Sequence, residues 1–409
     1  MTSSPETRGP KPPIPVTVLT GFLGAGKTSL LNALVKDPAL AGTGFIINEF
    51  GDIGLDHLFV EAKDDGIVEL SSGCLCCTVR GELVTTLENF LRGLDNGRID
   101  TLTRIVIETT GLADPAPVLH TIMAHPYLVM RYRLDGVITV VDAVNGGRTL
   151  DEHVEAVKQA AVADRIVLTK TDLPEGAARA ERLVARLHQL NPAAPVLVAA
   201  SGEAIASRLL DSGLYDPASK TADVRRWLNE EAYAGHGHHG HDHDHDHDHD
   251  HAHDHGHHHD HDCQGEACDH PDHQHDANRH DAHIRAFALA TDRAVPAGAM
   301  EMFLDLLRSA HGPKVLRMKG IVRLAEDPDR PLVVHGVQDI FHPPLRLAAW
   351  PDSDRRTRLV FITRDLEEAF VRKLFDAFAG TLAPDTADSA AMTDSPLALS
   401  GFTPPSLRR

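Results

Sequence analysis

The 409-residue sequence predicts an α/β protein: a mostly parallel sheet covered by helices, followed by a small α+β domain. Three observations carry that expectation. Short β-branched apolar runs recur from Pro15 to about residue 200 and alternate with segments of helical periodicity. The runs are continuously apolar rather than alternating, as strands buried on both faces require. A stretch almost free of apolar side chains then separates this part from a second globular one.

Taken in order, residues 1–14 (MTSSPETRGPKPPI) show no periodicity and are expected to be disordered. VTVLTG reads as the first strand, a Gly-rich turn follows, and TSLLNALV reads as a helix. Further strands are expected at GFIINEF, RIVIETTG, DGVITVVDA, DRIVLTKTD and APVLVAASG. Between them GELVTTLENFLRGL and ARAERLVARLHQL place apolar residues three and four apart, on one helical face. This first domain is expected to span 15–227. Residues 228–282 form a His/Asp-rich loop that buries too little to offset its ordering entropy. From 283 to 380 the runs IRAFALA, VLRMKGIVRL, PLVVHGVQDIF and TRLVFIT, with helices at AMEMFLDLLRSA and DLEEAFVRKLFDAF, predict an antiparallel sheet with helices. Residues 381–409, rich in Ala, Ser, Asp and Pro, read as a loose tail.

The chain is 42% hydrophobic and 24% charged, which fits a globular protein. No apolar run approaches the roughly 20 residues of a membrane span, and MTSSPETRGPKPP lacks the apolar core of a secretory signal. Five cysteines, three of them crowded together, do not form a disulfide framework, so a reducing cytoplasm is expected. Residues 236–283 hold 13 acidic side chains against Arg279 alone, so −12 of the net −19 lies there and the remainder carries an ordinary −7. There is no basic patch, and therefore no expectation of nucleic acid.

GFLGAGKT fits G-x-x-x-x-G-K-[ST] between a strand and a helix, the context in which backbone N–H groups cradle phosphates. Gly21, Gly24, Ala25, Gly26, Lys27, Thr28 and Ser29 are the candidate phosphate-binding residues. Lys27 would bridge the β- and γ-phosphates and the Thr28 hydroxyl would ligate Mg²⁺. Glu108 ends RIVIE beside this loop; it could hold Mg²⁺ through water or orient the attacking water, and Asp52 is a second candidate for that orientation. Asp142, closing GVITVVD, is a weaker one. Gly111, in TTG, would let a backbone amide approach the γ-phosphate. TKTD supplies Thr169, Lys170 and Asp172 in the [NT]-K-x-D pattern, whose carboxylate accepts from guanine N1–H and the exocyclic amine. Ser201, closing AAS, stands where a backbone N–H could meet the guanine oxygen. Together these make GTP the expected nucleotide.

Cys74, Cys76 and Cys77 form C-x-C-C, soft ligands suited to Zn²⁺, Cu⁺ or Co²⁺. The competing readings are a redox pair, for which the spacing is wrong, and a packed cysteine cluster. The histidines His236, His238, His239, His241, His243, His245, His247, His249 and His251 open a tract that holds 20 of the chain's 28. Imidazoles alternating with carboxylates bind divalent transition metals with moderate affinity and little selectivity. His57, His120, His125 and His342 fit no pattern and are expected at the surface or capping helices.

The order and spacing of GFLGAGKT, INEFGD, GCLCCTVR, ETTGLADP and TKTD, with LRMKG, HGVQ and LVFIT downstream, resemble the CobW-type GTPases over roughly residues 15–375. The resemblance implies a GTPase that hydrolyses GTP to GDP with Mg²⁺ and carries a metal at the C-x-C-C, with INEFGD as a switch segment. Some relatives carry an acid two positions before the Glu of that segment. Ile47 stands there in this chain, which leaves Glu49 or Asp52 as the carboxylate ligand. The implied function is a cytoplasmic metallochaperone delivering zinc to a client metalloprotein, with a C-terminal domain that recognises the client or pairs two copies into a homodimer. Delivery of cobalt for cobalamin biosynthesis is the alternative within the class. A His-rich metal buffer with a regulatory nucleotide site is the alternative outside it.

Overall fold

A computed structural model describes residues 12–48, 67–70, 78–211, 228, 233 and 283–380. Seven described strands form one parallel sheet in the order β3-β2-β4-β1-β5-β6-β7. They are β1 (Ile14–Gly21), β2 (Thr43–Asn48), β3 (Ile67–Leu70), β4 (Arg104–Glu108), β5 (Tyr132–Asp142), β6 (Arg165–Thr169) and β7 (Val196–Val198). The all-parallel pairing and the continuously apolar strands have one cause, because connecting helices cover both faces. On one face Leu30, Leu31 and Leu34 of α1 (Lys27–Val35) pack on Leu19, Ile138 and Val140. On the other, Leu83, Leu87 and Leu91 of α2 (Thr78–Asp95) meet Val16, Ile105 and Ile107. Each fully buried leucine contributes about 1.5–3 kcal/mol.

Helices α3 (Ala116–Ala124) and α4 (Leu128–Arg131) lie between β4 and β5, and α5 (Gly146–Glu152) and α6 (Val154–Ala161) between β5 and β6. The long amphipathic α7 (Pro174–Leu190) turns Leu183, Leu187 and Leu190 onto Ile166 and Leu168, and α8 (Ala206–Leu209) follows β7.

The second sheet is antiparallel, in the order β11-β10-β9-β13-β8, with β12 paired to β10. Its strands are β8 (Ile284–Thr291), β9 (Val315–Val322), β10 (Leu332–Val337), β11 (Ile340–Phe341), β12 (Leu345–Arg346) and β13 (Thr357–Arg364). Helices α9 (Ala297–His311) and α10 (Glu368–Ala379) cover one face through Phe303, Leu307, Val371 and Phe375. On the opposite face Leu228 and Tyr233, at the start of the segment the sequence assigns to the His/Asp-rich loop, are buried with Leu316, Val360 and Ile362.

The two sheets meet through a buried ionic cluster. Asp164, just before β6, accepts from the Val137 amide at 2.9 Å and from Lys319 Nζ at 2.8 Å, and Arg317 donates to it as well. Burial alone would raise the Asp164 carboxyl, but the Arg317 and Lys319 charges hold it well below the usual carboxylate range. Burial pushes Lys319 down to about 8 against the pull of Asp164.

His342 stacks on His335 beside this cluster, with ring centroids 4.5 Å apart. It is not at the surface as its sequence context suggests: the residue is only partly accessible, and its Nε2 is buried without a hydrogen-bond partner. Its place next to Asp164 depends on a β10–β11 pairing that no local pattern reveals. Burial and the Arg317 charge lower His342 to about 4, below its ordinary 6.5. The unfolded chain therefore binds more protons between those two values, so stability is full above about pH 6.5 and falls as the pH drops toward 4. The expected loss is about 3 kcal/mol at pH 4 for this one residue. Thermal unfolding followed from pH 7 to pH 4 should show it, and a His342→Gln variant should show a shallower decline.

Candidate functional site

Parallel strands carry their functional loops at their C-terminal ends, where the chain reverses direction across the sheet. β1 ends in the loop Gly21 to Gly26. Gly21 has φ +142°, and a Cβ there would lie 2.3 Å from the Val140 carbonyl oxygen, so only glycine lets β1 run this close to β5. Gly24 and Gly26 also have positive φ, and Gly26 caps the N-terminus of α1. Ala25 is buried, Thr28 half-buried and Ser29 exposed. The first N–H groups of α1 are thus gathered at this mouth, an arrangement suited to anions.

Lys27 is 8% exposed. Its Nζ donates to the carbonyls of Gly21 at 2.9 Å and Phe22 at 3.2 Å, folding the side chain back over its own loop. Burial pushes the ammonium below its ordinary value, and the Glu108 carboxylate pulls it back up. Glu108 closes β4 in register with Leu19 of β1 and is buried.

After Glu108 the chain stays against the Gly-rich loop. Thr109 Oγ1 donates to Thr20 Oγ1 at 2.8 Å. Gly111 touches the loop directly, since a Cβ on it would lie 2.6 Å from the Leu23 nitrogen. From beneath, Gln159 Nε2 of α6 donates to the carbonyls of Ala113 at 2.9 Å and Gly111 at 3.3 Å. Phe22 stacks on His153 at the start of α6, with centroids 4.4 Å apart.

Two strands along, Thr169 Oγ1 donates to the Ala25 carbonyl at 2.6 Å, tying TKTD to the Gly-rich loop. Lys170 takes a left-handed φ of 57°, and its Nζ donates to Asp142 Oδ2 at 2.6 Å. Burial alone would raise Asp142, but hydrogen bonds from Lys170, Asn145 and the Val144 amide bring it below its ordinary value. Asp142 is therefore committed to holding Lys170, rather than free to activate water. Asp172 is exposed at the start of the turn into α7. Ser201 closes the short 3₁₀ turn after β7 and is also exposed, with its Oγ donating to the Val198 carbonyl at 3.0 Å.

The structure thus brings Gly21 to Ser29, Glu108, Gly111, Thr169, Lys170, Asp172 and Ser201 to one edge of the sheet. Glu49, Asp52, Cys74, Cys76, Cys77 and the histidines His236 to His251 lie outside the described residues. The strands leading to the first two groups are described: β2 ends at Asn48 and β3 at Leu70, on the same edge as β4 with its Glu108. Sequence reasoning missed Gln159, the Phe22–His153 stack and the tie between Asp142 and Lys170. A glutamine on an amphipathic helix gives no local signal that it will meet a loop 46 residues away.

The chain matches the family described as "CobW/HypB/UreG, nucleotide-binding domain" over residues 15–198, and "Cobalamin synthesis protein cobW C-terminal domain" over residues 284–379. It is 32% identical over 368 residues to zinc chaperone YjiA of Escherichia coli strain K12, covering 90% of this chain and 98% of that protein. A crystal structure of Zn(II)-bound YjiA GTPase superposes with a TM-score of 0.59 at 26% identity, covering 90% of this chain and 99% of that one. Zinc-regulated GTPase metalloprotein activator 1 of Schizosaccharomyces pombe is 40% identical over 168 residues, covering 39% of this chain and 40% of that protein. Zinc chaperone CobW of Sinorhizobium sp is 38% identical over 188 residues, covering 39% of this chain and 51% of that protein.

Proposed function

The chain belongs to the CobW family of nucleotide-binding proteins, and on that footing we propose that it is a GTP-hydrolysing metallochaperone that carries zinc to a client metalloprotein. The observation that carries the reading is the nucleotide edge of the sheet, on a chain similar to a zinc chaperone over 98% of that protein's length. Relatives bearing the CobW name are themselves named zinc chaperones, so cobalt is not favoured.

The N–H groups at the start of α1 bind the phosphates, and Lys27 leaves the Gly21 and Phe22 carbonyls to meet them. Thr28 and Glu108 are hard oxygen donors at the mouth of this loop, the chemistry that Mg²⁺ takes, and they would hold it. The ion would neutralise charge on the β- and γ-phosphate oxygens. Gly111 presents its amide to the γ-phosphate from a loop already packed on Leu23. Glu108, or Asp52 from the switch segment, orients the attacking water. Lys170, fixed by Asp142, lays its aliphatic stem over the base, Asp172 accepts from guanine, and the turn Ala199–Ser201 donates to the guanine oxygen.

Zinc is the cargo. Cys74 stands four residues beyond the end of β3, and Cys77 immediately precedes α2. INEFGD leaves β2, which lies between β3 and β4. That continuity supports a switch in which the γ-phosphate orders INEFGD and hydrolysis relaxes it, altering how Cys74, Cys76 and Cys77, with Glu49 or Asp52, hold the ion. The tract from His236 serves as a low-selectivity reservoir, and the C-terminal domain recognises the client or pairs two copies. Among the described residues no helix is long and apolar enough to cross a membrane.

Zinc binding and GTP turnover measured on one preparation, with and without residues 236–283, test this reading. The shortened chain should keep one tight zinc and its GTP turnover, and Cys74→Ser, Cys76→Ser and Cys77→Ser together should abolish the tight site. Retention of that zinc by the triple variant would refute the C-x-C-C assignment.

A further inference from the structure

The hairpin between β10 and β11 reverses over two residues, Gln338 and Asp339, between the pairs Gly336–Phe341 and Val337–Ile340. Gln338 has φ +54°, a left-handed value at the first turn position, where tight hairpins favour glycine. A glutamine there carries a steric cost that glycine would avoid. Such positions mark sites where a side chain is wanted despite its backbone.

The side chain's use is visible. Gln338 Nε2 donates to Asp114 Oδ2 at 2.7 Å, across 224 residues of sequence and from one domain to the other. Asp114 closes the loop that follows Glu108. Its Oδ2 also accepts from Lys158 Nζ at 3.0 Å, and its Oδ1 accepts from the Ala116 amide at 3.0 Å, where α3 begins. The strand ends on either side of Gln338 reinforce the contact, because Val337 and Ile340 are buried with Val18, Ala116 and Leu119 of the nucleotide domain. Three residues before Asp114 stands Gly111, in backbone contact with the Gly-rich loop. Gln159, the neighbour of Lys158 on α6, holds the Gly111 and Ala113 carbonyls. The loop Thr109 to Pro115 is therefore clamped between α6 and the tip of a C-terminal hairpin.

We propose that Gln338 is a positioning residue by which the C-terminal domain sets the loop between Glu108 and α3, so that GTP turnover and the seating of that domain are linked. The inference rests on the GTPase reading above and adds to it a residue of the second domain. The same contact carries the nucleotide state outward, so the hairpin should report which nucleotide is bound.

Two substitutions in the full chain test it. Gln338→Gly relieves the backbone and removes the side chain, so the protein should fold at least as well. Its kcat for GTP should fall roughly 5- to 10-fold, and its preference for a non-hydrolysable GTP analogue over GDP should shift as the hairpin contact is lost. Gln338→Glu places a carboxylate against Asp114. Its kcat should fall at least as far as that of Gln338→Gly, because the new carboxylate offers Asp114 no donor. Amide exchange across residues 332–341 supplies a readout independent of turnover. It should differ between GDP and a non-hydrolysable GTP analogue in the wild type, and should not differ in Gln338→Gly. A kcat for Gln338→Gly within twofold of wild type, or hairpin exchange indifferent to the nucleotide, would overturn the proposal. A wild type that binds zinc but does not hydrolyse GTP would instead overturn the GTPase reading.

Discussion

Lys27→Ala should reduce GTP turnover by on the order of 10²–10³-fold while leaving the fold intact. Lys27 is the cation buried at the mouth of the Gly-rich loop, its charge balanced by Glu108 and its Nζ held on two backbone carbonyls. Those carbonyls are weaker partners than a phosphate, so the ammonium is free to transfer to a nucleotide that brings its own negative charge. In the folded protein the substitution removes one buried cation and its hydrogen bonds and leaves the buried Glu108 without that charge beside it, a change of about 1–3 kcal/mol. In the reaction it removes a fixed positive charge from the place where negative charge develops, where the effect is far larger. Phosphate release with Mg²⁺, compared between wild type and variant, checks this. Equal rates would leave a metal buffer with an inactive nucleotide site as the better account of the chain.

Asp164→Ala should cost about 3–5 kcal/mol of stability. The side chain is 4% exposed and serves three donors: the Val137 amide, Arg317 and Lys319. Alanine would leave two cations buried opposite each other at the junction of the domains, with His335 and His342 beside them. Coulombic attraction in this cluster is offset by the desolvation of its members, so the cost comes from orphaning the cations rather than from the pair as such. A combined Asp164→Leu, Arg317→Met, Lys319→Met chain should therefore be much less destabilised than Asp164→Ala alone. Denaturant unfolding of the two variants decides the matter, and a loss below about 1 kcal/mol for Asp164→Ala would contradict it.

The parts of this molecule that could be read from the sequence are those fixed by short-range geometry. GFLGAGKT is legible because strand, turn and helix start follow within a dozen residues, and the glycines are dictated by approaches such as Gly21 on Val140. The strand that leads into TKTD is legible for the same reason, since Thr169 closes β6. What the sequence hides is partnership at a distance. Asp142 looks like an acid at a strand tip until Lys170 is seen on it. His342 looks like a surface histidine until β10 and β11 fold it under the neighbouring domain. The clamp of Gln338 on Asp114 depends on two domains meeting, which no periodicity encodes. The cysteines and histidines that motivate the zinc reading were legible as chemistry, through softness and spacing, and their arrangement lies outside the described residues.

In the mechanism proposed above, nucleotide and zinc are coupled on one chain. The most direct test is the Zn²⁺ affinity of the protein lacking residues 236–283, measured once with GDP and once with a non-hydrolysable GTP analogue. Coupling through the segment after β2 requires the two affinities to differ by about fivefold or more, with zinc changing the preference for the analogue over GDP by the same factor. Identical zinc affinities in the two nucleotide states would contradict it.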